Sequence, residues 1–255
     1  MNGNIFVVAL TLILTALPLS PAFGADDDAV KGKLETAMAA DIRTTQETDR
    51  DRNRKPIETL EFFGLRDDMK VVELLPGGGW YTKLLAPVMA DKGEFYIAYG
   101  TKRAQSALAG KPGFEKMQVI AEDAEIGRPE GARLYRASNT DLGVKNVDMV
   151  FTFRNYHNFD EPSRNALNNS VFKALKSGGI YALVDHTARH MEPSNSENRR
   201  RLDPVQAIKE IQAAGFEFVD YSDLHYRADD ELIYEVGRKT VTGNTDRWSL
   251  KFRKP

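Results

Sequence analysis

Short apolar runs alternate along the chain with stretches whose apolar residues recur at helical spacing. The run at residues 147–153 is apolar almost throughout, which is typical of a strand buried on both faces of a sheet. The predicted strands are residues 71–75, 93–99, 134–137, 147–153, 180–184, 216–221 and 247–252. The predicted helices are residues 57–63, 80–89, 101–109, 162–175 and 204–214. This alternation predicts a mostly parallel sheet covered by helices on both faces, and the polar connection at residues 223–246 allows the last two strands to form an antiparallel edge.

The region before the first strand has a different character. Residues 25–55 are polar and helix-prone, and we expect the dense charges at residues 47–55 to form mostly a solvated lead-in. Pro56 then opens a helix pattern that Gly64 is placed to end. Residues 56–255 show no internal repeat and no linker, so they are predicted to form one domain.

The first residues have the layout of a secretory signal peptide. An unbroken run of apolar and small residues at 5–17 is shorter than the roughly 20 residues that span a bilayer. Ala22 and Gly24 stand at the small-residue positions of a cleavage site, although no Lys or Arg precedes the run. We therefore predict a signal peptide at residues 1–24, a periplasmic or secreted protein, and no membrane span after cleavage. The alternative is an uncleaved N-terminal anchor.

Composition excludes several classes of chemistry. The 255 residues carry a formal net charge of −2, so no nucleic acid partner is expected. The chain has no cysteine, which excludes disulfides, thiolate zinc sites and thiol nucleophiles.

A glycine-rich turn follows the first predicted strand. Glu73 stands near the end of that strand, Gly77, Gly78 and Gly79 follow, and a helix pattern begins at Trp80. Such a turn lets a ligand approach the backbone closely, because glycine has no Cβ. Cofactor sites of open α/β sheets lie at this place, outside the carboxyl ends of the strands.

The spacing within this turn distinguishes between cofactors. It fits the acid-x-Gly-x-Gly-x-Gly loop of S-adenosylmethionine sites, with Glu73 as the acid, Leu75 in place of the first glycine and a stiffening Pro76. A nicotinamide dinucleotide fingerprint needs a third glycine where this chain has Thr82. The alternative is a tight structural turn with no ligand.

Five stretches of the chain together resemble the class I S-adenosylmethionine-dependent methyltransferases. The closer resemblance is to a branch of bacterial methyltransferases predicted to be exported. The stretches are residues 54–65 with Arg54-Lys55-Pro56, residues 72–82 with the glycine turn, residues 152–158 with Arg154-Asn155-Tyr156-His157, residues 175–186 with Gly178-Gly179 and Asp185-His186, and residues 247–255 with Arg247-Trp248. The resemblance implies a Rossmann-like α/β fold, with a seven-stranded mostly parallel sheet, helices on both faces and an antiparallel edge.

The resemblance also implies S-adenosylmethionine as the cofactor. One usual acid is missing, since the second predicted strand ends at Tyr99 where the family has an acid for the ribose hydroxyls. A second acid, near the adenine, would fall around Ser138 and Asn139, with Asp141 close by. The predicted cofactor-binding residues are Glu73, Pro76, Gly77, Gly78, Gly79, Trp80, Tyr99, Ser138, Asn139, Asp141 and Arg154.

Two of the four histidines follow neighbouring predicted strands. We predict His157 as the general base or acceptor-orienting group and His186 as its partner, because histidine titrates near neutral pH. Asn155 and Tyr156 are predicted to shape the pocket. Two alternatives stay open: histidines that only hold loops, and a metal site. The metal site, which is not part of the prediction, would be formed by His157, His186, Asp185 and His190.

These features predict S-adenosylmethionine-dependent methyl transfer to a small-molecule acceptor. The alternative is a non-catalytic exported ligand-binding protein on the same scaffold, which the missing ribose acid and the export signal both favour. A nicotinamide oxidoreductase is disfavoured by Thr82 and by the same missing acid. The sequence makes no prediction of the oligomeric state.

Overall fold

The structure of the protein is a computed structural model that describes residues 25–255. The predicted signal peptide at residues 1–24 lies outside the described residues. Within residues 25–255, none of the helices combines the length and the apolar character needed to cross a membrane.

A seven-stranded sheet forms the centre of the fold, in the order β3-β2-β1-β6-β7-β9-β8. Two further strands, β4 and β5, form a separate two-stranded sheet. In chain order the strands of the described residues are β1 (Lys70–Leu74), β2 (Glu94–Ala98), β3 (Gln118–Ile120), β4 (Glu125–Gly127), β5 (Arg136–Ser138), β6 (Val147–Phe153), β7 (Leu175–His186), β8 (Glu217–Ser222) and β9 (Arg247–Arg253). The strands from β3 to β7 in this order are parallel, and β9 runs antiparallel to both β7 and β8. The predicted fold class and its antiparallel edge are therefore confirmed.

Helices cover both faces of the sheet, as predicted. They are α1 (Ala25–Met38), α2 (Thr45–Thr48), α3 (Asp51–Arg54), α4 (Pro56–Phe63), α5 (Thr82–Met89), α6 (Lys102–Leu108), α7 (Glu161–Ala174) and α8 (Pro204–Ala213). On one face, Val71 and Phe151 of the sheet pack in a core with residues of α1, α4, α5 and α6. On the other face, Val72 and Val150 pack with residues of α7 and α8. Alternate residues of each strand thus enter opposite cores, so each central strand is buried on both sides.

One predicted element is wrong. Residues 134–137 do not form the third strand of the main sheet, because β5 pairs with β4 in a separate two-stranded sheet. The third strand in chain order is β3, which has only three residues. The helix predicted at residues 162–175 is confirmed to within one residue as α7, whereas the strand predicted at residues 180–184 is longer, since β7 already begins at Leu175. Gly178 and Gly179 lie inside β7, where a Cβ on Gly179 would lie 2.9 Å from the backbone oxygen of Lys176.

The polar lead-in is docked on the rest of the protein. Val30, Leu34 and Ala37 of α1 are buried in the core that α5 shares. The expectation of solvated charges at residues 47–55 holds for Asp49, Arg50 and Arg52, which are exposed. It is wrong for Arg54, whose side chain packs against the ring of Trp80 and which is buried.

Candidate active site

The carboxyl ends of the parallel strands carry unusual backbone conformations. Leu75, Tyr99, Ala121 and Arg154 directly follow β1, β2, β3 and β6, and their φ angles are 56°, 63°, 53° and 59°. Left-handed φ angles are uncommon for residues other than glycine, and each costs about 1–3 kcal/mol. Such strained residues cluster at ligand and active sites, so this edge of the sheet is the first place to look for one.

A cavity of about 580 Å³ lies at this edge. It is lined by residues that follow four strands: Leu75 after β1, Tyr99 after β2, Ala121 and Glu122 after β3, and Asn155 after β6. Its volume falls within the roughly 300–1,000 Å³ of small-molecule sites. A larger hollow of about 970 Å³ lies beside β4 and β5. We assign the site to the smaller cavity, because ligands of open α/β sheets bind where the parallel strands end.

The glycine turn adjoins this cavity. Gly77 and Gly79 have φ angles of 60° and 86°, which favour glycine. A Cβ on Gly79 would lie 3.3 Å from Leu108 of α6, so this glycine permits close helix packing. A Cβ on Gly77 would meet nothing within 4 Å, so its side faces open space. Among the described residues, none accepts a hydrogen bond from the backbone N–H of Gly77 or Gly78. The turn therefore presents two available donors.

The predicted acid of the turn, Glu73, does not line the cavity. Its carboxylate accepts a hydrogen bond from the Thr82 hydroxyl at 2.6 Å, beneath the start of α5. Burial raises the pKa of Glu73 to about 7, against the opposing effects of that hydrogen bond and of Arg54. In this geometry Glu73 fixes the first residue of α5, since strand alternation directs it to the same face as Val71.

Asn155 joins two of the loops at the cavity. Its amide nitrogen donates to the backbone oxygen of Leu75 at 3.1 Å and to that of Phe153 at 3.0 Å. The loop after β1 and the loop after β6 are thereby tied together, and Asn155 lines the cavity. Its role in shaping a substrate pocket stays a prediction.

His157 and His186 come together, with Asp185 between them. The Nδ1–H of His157 donates to Asp185 Oδ1 at 2.5 Å, and the His157 backbone N–H donates to Oδ2 at 2.9 Å. The backbone N–H of His186 donates to Asp185 Oδ1 at 2.7 Å, and the two imidazole rings lie 5.6 Å apart. Since Nδ1 of His157 is engaged and no described residue hydrogen-bonds its Nε2, Nε2 is the ring atom available for chemistry.

The second histidine is held neutral. His186 is buried, and its Nδ1 forms a hydrogen bond with the Thr245 hydroxyl at 2.9 Å. Burial, together with the electrostatic effects of His157 and of the Arg247 guanidinium, lowers the pKa of His186 well below its ordinary value. At neutral pH it therefore acts as a neutral neighbour of His157 and carries no charge.

Tyr156 points away from the cavity. Its hydroxyl donates to Glu210 at 3.1 Å and accepts from the Asn168 side chain at 2.8 Å. Glu210 also receives two hydrogen bonds from Arg164, each at 2.7 Å. Tyr156 thus belongs to a buried polar network that holds α7 against α8.

Three further predicted residues are engaged elsewhere. The indole N–H of Trp80 donates to the backbone oxygen of Glu47 at 2.9 Å, which anchors the lead-in. The hydroxyl of Tyr99 is buried and donates to the backbone oxygen of Thr140, although Tyr99 also lines the cavity. Pro76 starts the glycine turn, where its oxygen accepts from the Gly79 N–H at 2.9 Å.

The residues expected near the adenine lie outside the cavity. Ser138 donates to Glu125 across the two-stranded sheet, Asn139 is exposed, and Asp141 is exposed and accepts from the Gly143 N–H. These residues are expected near the adenine because the sequence predicts residues 134–137 as the third strand of the main sheet, which they do not form. The acid that follows the true β3 and lines the cavity is Glu122.

Sequence reasoning therefore missed Glu122, together with Lys102 and Arg103 of α6, which also line the cavity. The available signal was the pair Glu122-Asp123 directly after the apolar residues of β3.

No metal site accompanies these residues. Among the residues that the structure describes, no group of three or more His, Asp or Glu side chains is arranged to hold a metal ion. His190, the fourth member of the alternative metal site, is exposed and forms a hydrogen bond with Asp203 at 2.8 Å.

No model of a protein family matches the chain, and no curated protein matches its sequence. Solved structures share its fold. A SAM-dependent methyltransferase from Aquifex aeolicus is 15% identical with a TM-score of 0.55, and the match covers 87% of this chain and 97% of that chain. An arsenic(III) S-adenosylmethionine methyltransferase from Chlamydomonas reinhardtii is 12% identical with a TM-score of 0.52, over 87% and 72% of the two chains. The cyclase SpnF is 16% identical with a TM-score of 0.54, over 89% and 93%. The chain thus has the fold of the class I S-adenosylmethionine-dependent methyltransferases.

Proposed function

We propose that the protein transfers a methyl group from S-adenosylmethionine to a small-molecule acceptor. The observation that carries this proposal is the cavity over β1, β2, β3 and β6. The loop after β6 lines this cavity through Asn155 and Asn158 and also carries His157, which is paired with Asp185 of β7 and does not itself line the cavity. Fold alone does not decide the reaction, since a cyclase shares it. The arrangement of donors, acid and base at one sheet edge is what favours methyl transfer.

The residues at the cavity fit this cofactor. The available N–H groups of Gly77 and Gly78 suit electron-rich groups of the ligand. Glu122 supplies a carboxylate that can accept hydrogen bonds from hydroxyl groups of the ligand, in place of the acid that is missing at Tyr99. Ile126, Tyr135 and Phe159 provide apolar and aromatic wall for a base ring; they also line the cavity.

The His157–Asp185 pair fits a role in proton transfer. When bound, S-adenosylmethionine supplies an electrophilic methyl group and leaves as S-adenosylhomocysteine. Nε2 of His157 takes the proton that an acceptor hydroxyl or amine must lose. Asp185 fixes the tautomer with Nδ1–H and stabilises the ring once it is charged. Asn155 aligns the loops after β1 and β6 by its hydrogen bond to Leu75. The burial of His157 excludes water from its ring.

Calorimetric titration of the purified protein with S-adenosylmethionine, S-adenosylhomocysteine and NAD tests the cofactor. We expect micromolar binding of the first two, about −8 kcal/mol, and none of NAD. Binding of NAD alone would contradict the proposal.

A matched pair of glycine variants locates the site. Gly77→Val introduces a side chain in the glycine turn at a φ of 60°, whereas Gly131→Val imposes the same kind of strain at a φ of 71° in the loop between β4 and β5, at a residue that does not line the cavity. Neither Cβ would meet an atom within 4 Å, so the packing cost is similar. We expect Gly77→Val to abolish S-adenosylmethionine binding and Gly131→Val to leave it unchanged. Equal binding by both variants would remove the turn from the site.

The second candidate function is a non-catalytic ligand-binding protein on the same scaffold. It is favoured by the end of β2, where Tyr99 replaces the ribose acid and its hydroxyl is already engaged. A folded protein that binds neither S-adenosylmethionine nor S-adenosylhomocysteine would support this second candidate over methyl transfer.

We further propose that the protein is exported and belongs to the branch of exported bacterial methyltransferases that it resembles. The support is the apolar run at residues 5–17 with Ala22 and Gly24 behind it. Mass spectrometry of the protein isolated from the periplasmic fraction should give a mature N-terminus at Ala25. An intact N-terminus in the cytoplasmic fraction would contradict export.

A further inference from the structure

Three arginines from distant parts of the chain meet around Tyr81. Arg54 ends α3, Arg154 follows β6, and Arg247 begins β9 directly opposite His186. Arg54 and Arg247 are only 4% and 6% exposed. The guanidinium of Arg54 lies 5.8 Å from the Tyr81 ring, and the charges of all three arginines act on the pKa of the Tyr81 hydroxyl, opposing the effect of burial. We name these three residues the arginine cluster.

The arginine cluster has no carboxylate partner. Among residues 25–255, no ion pair includes Arg54, Arg154 or Arg247. The Nε atoms of Arg154 and Arg247 are buried and have no hydrogen-bond partner among the described residues. The contacts that exist are with neutral groups: Arg54 lies 4.1 Å above the Trp80 ring, and Arg247 donates to the backbone oxygen of Asn53 at 2.8 Å.

The acids that act on these arginines offset their charge only in part: the charge of Asp185 opposes the lowering of the pKa values of Arg154 and Arg247, without an ion pair to either. Asp185 is committed to His157 and His186, and Glu73 is buried with its pKa raised to about 7. Burial and the neighbouring arginines lower the pKa of Arg54 to about 8 and that of Arg247 to about 10. Guanidinium groups keep their proton in proteins. The lowered pKa values therefore record first the burial of these groups and then the neighbouring positive charge, which a bound anion would offset.

We propose that the arginine cluster binds an anionic group, a carboxylate or a phosphate, of the methyl acceptor. This inference rests on the proposed function and names its substrate class. Guanidinium forks match the geometry of both anions, and buried unpartnered Nε–H groups are the donors such a ligand needs. None of the three arginines lines the cavity. The cluster is linked to the site by the backbone: Arg154 directly precedes Asn155, which lines the cavity, and Arg247 lies opposite His186 in the pairing of β9 with β7.

Charge favours the acceptor over the cofactor as the ligand of the cluster. S-adenosylmethionine carries a sulfonium and an ammonium group besides its single carboxylate, so its net charge is positive. Three guanidinium groups without an ion-pair partner among the described residues would repel it, because like charges in a poorly hydrated site interact strongly. An anionic acceptor placed among them removes this repulsion and brings opposite charge to the reacting centre.

Calorimetric titration with inorganic phosphate and with malonate tests the cluster, at an ionic strength of about 10 mM where screening is weak. We expect at least one of them to bind with a millimolar or lower dissociation constant, and the tighter one identifies the class of anion. Arg154→Gln should weaken that binding about tenfold or more, whereas Arg154→Lys, which keeps the charge, should weaken it less. Arg54→Gln provides the same measurement if Arg154→Gln does not fold.

Arg253→Gln is the matched control, because Arg253 ends the same strand that Arg247 begins and is exposed. We expect it to bind the anion as the unaltered protein does. The sequence predicts that Arg154 binds the cofactor, but it does not line the cavity, so under this proposal Arg154→Gln should bind S-adenosylhomocysteine normally. Absence of anion binding by a protein that binds S-adenosylhomocysteine would overturn this inference alone. Equal loss of anion and S-adenosylhomocysteine binding in Arg154→Gln would assign the cluster to the cofactor and also overturn it. Anion binding by a protein that binds neither S-adenosylmethionine nor S-adenosylhomocysteine would overturn the proposed function, and with it the acceptor assignment.

Discussion

The carboxylate of Asp185 holds both the ring and the backbone of His157, with Oδ1 2.5 Å from Nδ1 and Oδ2 2.9 Å from the backbone nitrogen. Asp185 is fully buried and also accepts the backbone N–H of His186. One carboxylate thus fixes the orientation of His157 and the start of the loop that carries it. Its loss would affect both the fold and the proposed base.

Asp185→Asn is expected to lower the free energy of unfolding by about 3 kcal/mol, because a buried amide offers one acceptor to three N–H donors and presents its own NH2 to one of them. Urea denaturation followed by circular dichroism measures this loss. The matched control is Asp141→Asn, at an exposed aspartate that accepts one N–H from Gly143, where we expect a change within about 0.5 kcal/mol. Equal stability of the two variants would show that Asp185 is not the structural centre of this loop.

Glu73 should make stability depend on pH in an unusual direction. Its pKa is raised from 4.5 to about 7 in the folded protein, so the folded state holds a proton that the unfolded state releases. The contribution of Glu73 to stability is therefore complete below pH 4.5 and is lost as the pH rises through 7. Glu73→Gln keeps an acceptor for the Thr82 hydroxyl, and because an amide does not ionise, the variant does not lose stability as the pH rises. We expect the variant to match the unaltered protein near pH 4.5 and to be more stable by about 3 kcal/mol above pH 7.

The measurement is the free energy of unfolding from urea titrations between pH 4.5 and 8, compared as a difference between variant and unaltered protein. Effects of other titrating groups cancel in that difference. Glu58→Gln, at an exposed glutamate, should show no pH-dependent difference. A Glu73→Gln difference that stays constant with pH would mean that Glu73 titrates normally.

The sequence predicts the sheet well, because the central strands are long apolar runs that leave few alternatives. The strand β3 is missed because three residues carry too little pattern. The wrong third strand led to the region of Asn139 for an acid after that strand, whereas the acid that follows β3 and lines the cavity is Glu122. The left-handed backbone at Leu75 and Arg154 escapes as well, since only glycine signals that conformation in a sequence.

Side-chain direction is the other part that the sequence does not reveal. Tyr156 and His157 are neighbours on one short turn, yet Tyr156 reaches Glu210 while His157 reaches Asp185. The convergence of Arg54, Arg154 and Arg247 is hidden for the same reason, because each arginine alone resembles an ordinary surface charge. Only the folded chain shows that three are together without an acid.

The docked lead-in should contribute to the stability of the whole fold. Leu34 of α1 is fully buried in the core, so Leu34→Ala is expected to lower the free energy of unfolding by about 2–5 kcal/mol. Leu134→Ala makes the same chemical change at a residue that is 40% exposed and should cost much less. Urea denaturation measures both. If the two variants were equally stable, α1 would be a detachable arm and the position of Arg54 in the cluster would not be fixed by it.

Glu122 and Asp141 are competing assignments for the acid that binds the cofactor. Glu122 follows β3 and lines the cavity, whereas Asp141 is exposed and accepts the N–H of Gly143 at 2.8 Å. A charge-assisted hydrogen bond to a ligand hydroxyl contributes about 1.5–3 kcal/mol, so Glu122→Gln should weaken S-adenosylhomocysteine binding about tenfold to a hundredfold. Asp141→Asn should leave that affinity unchanged. Calorimetric titration of both variants decides between them, because the opposite result would restore the acid expected from the sequence and remove Glu122 from the site.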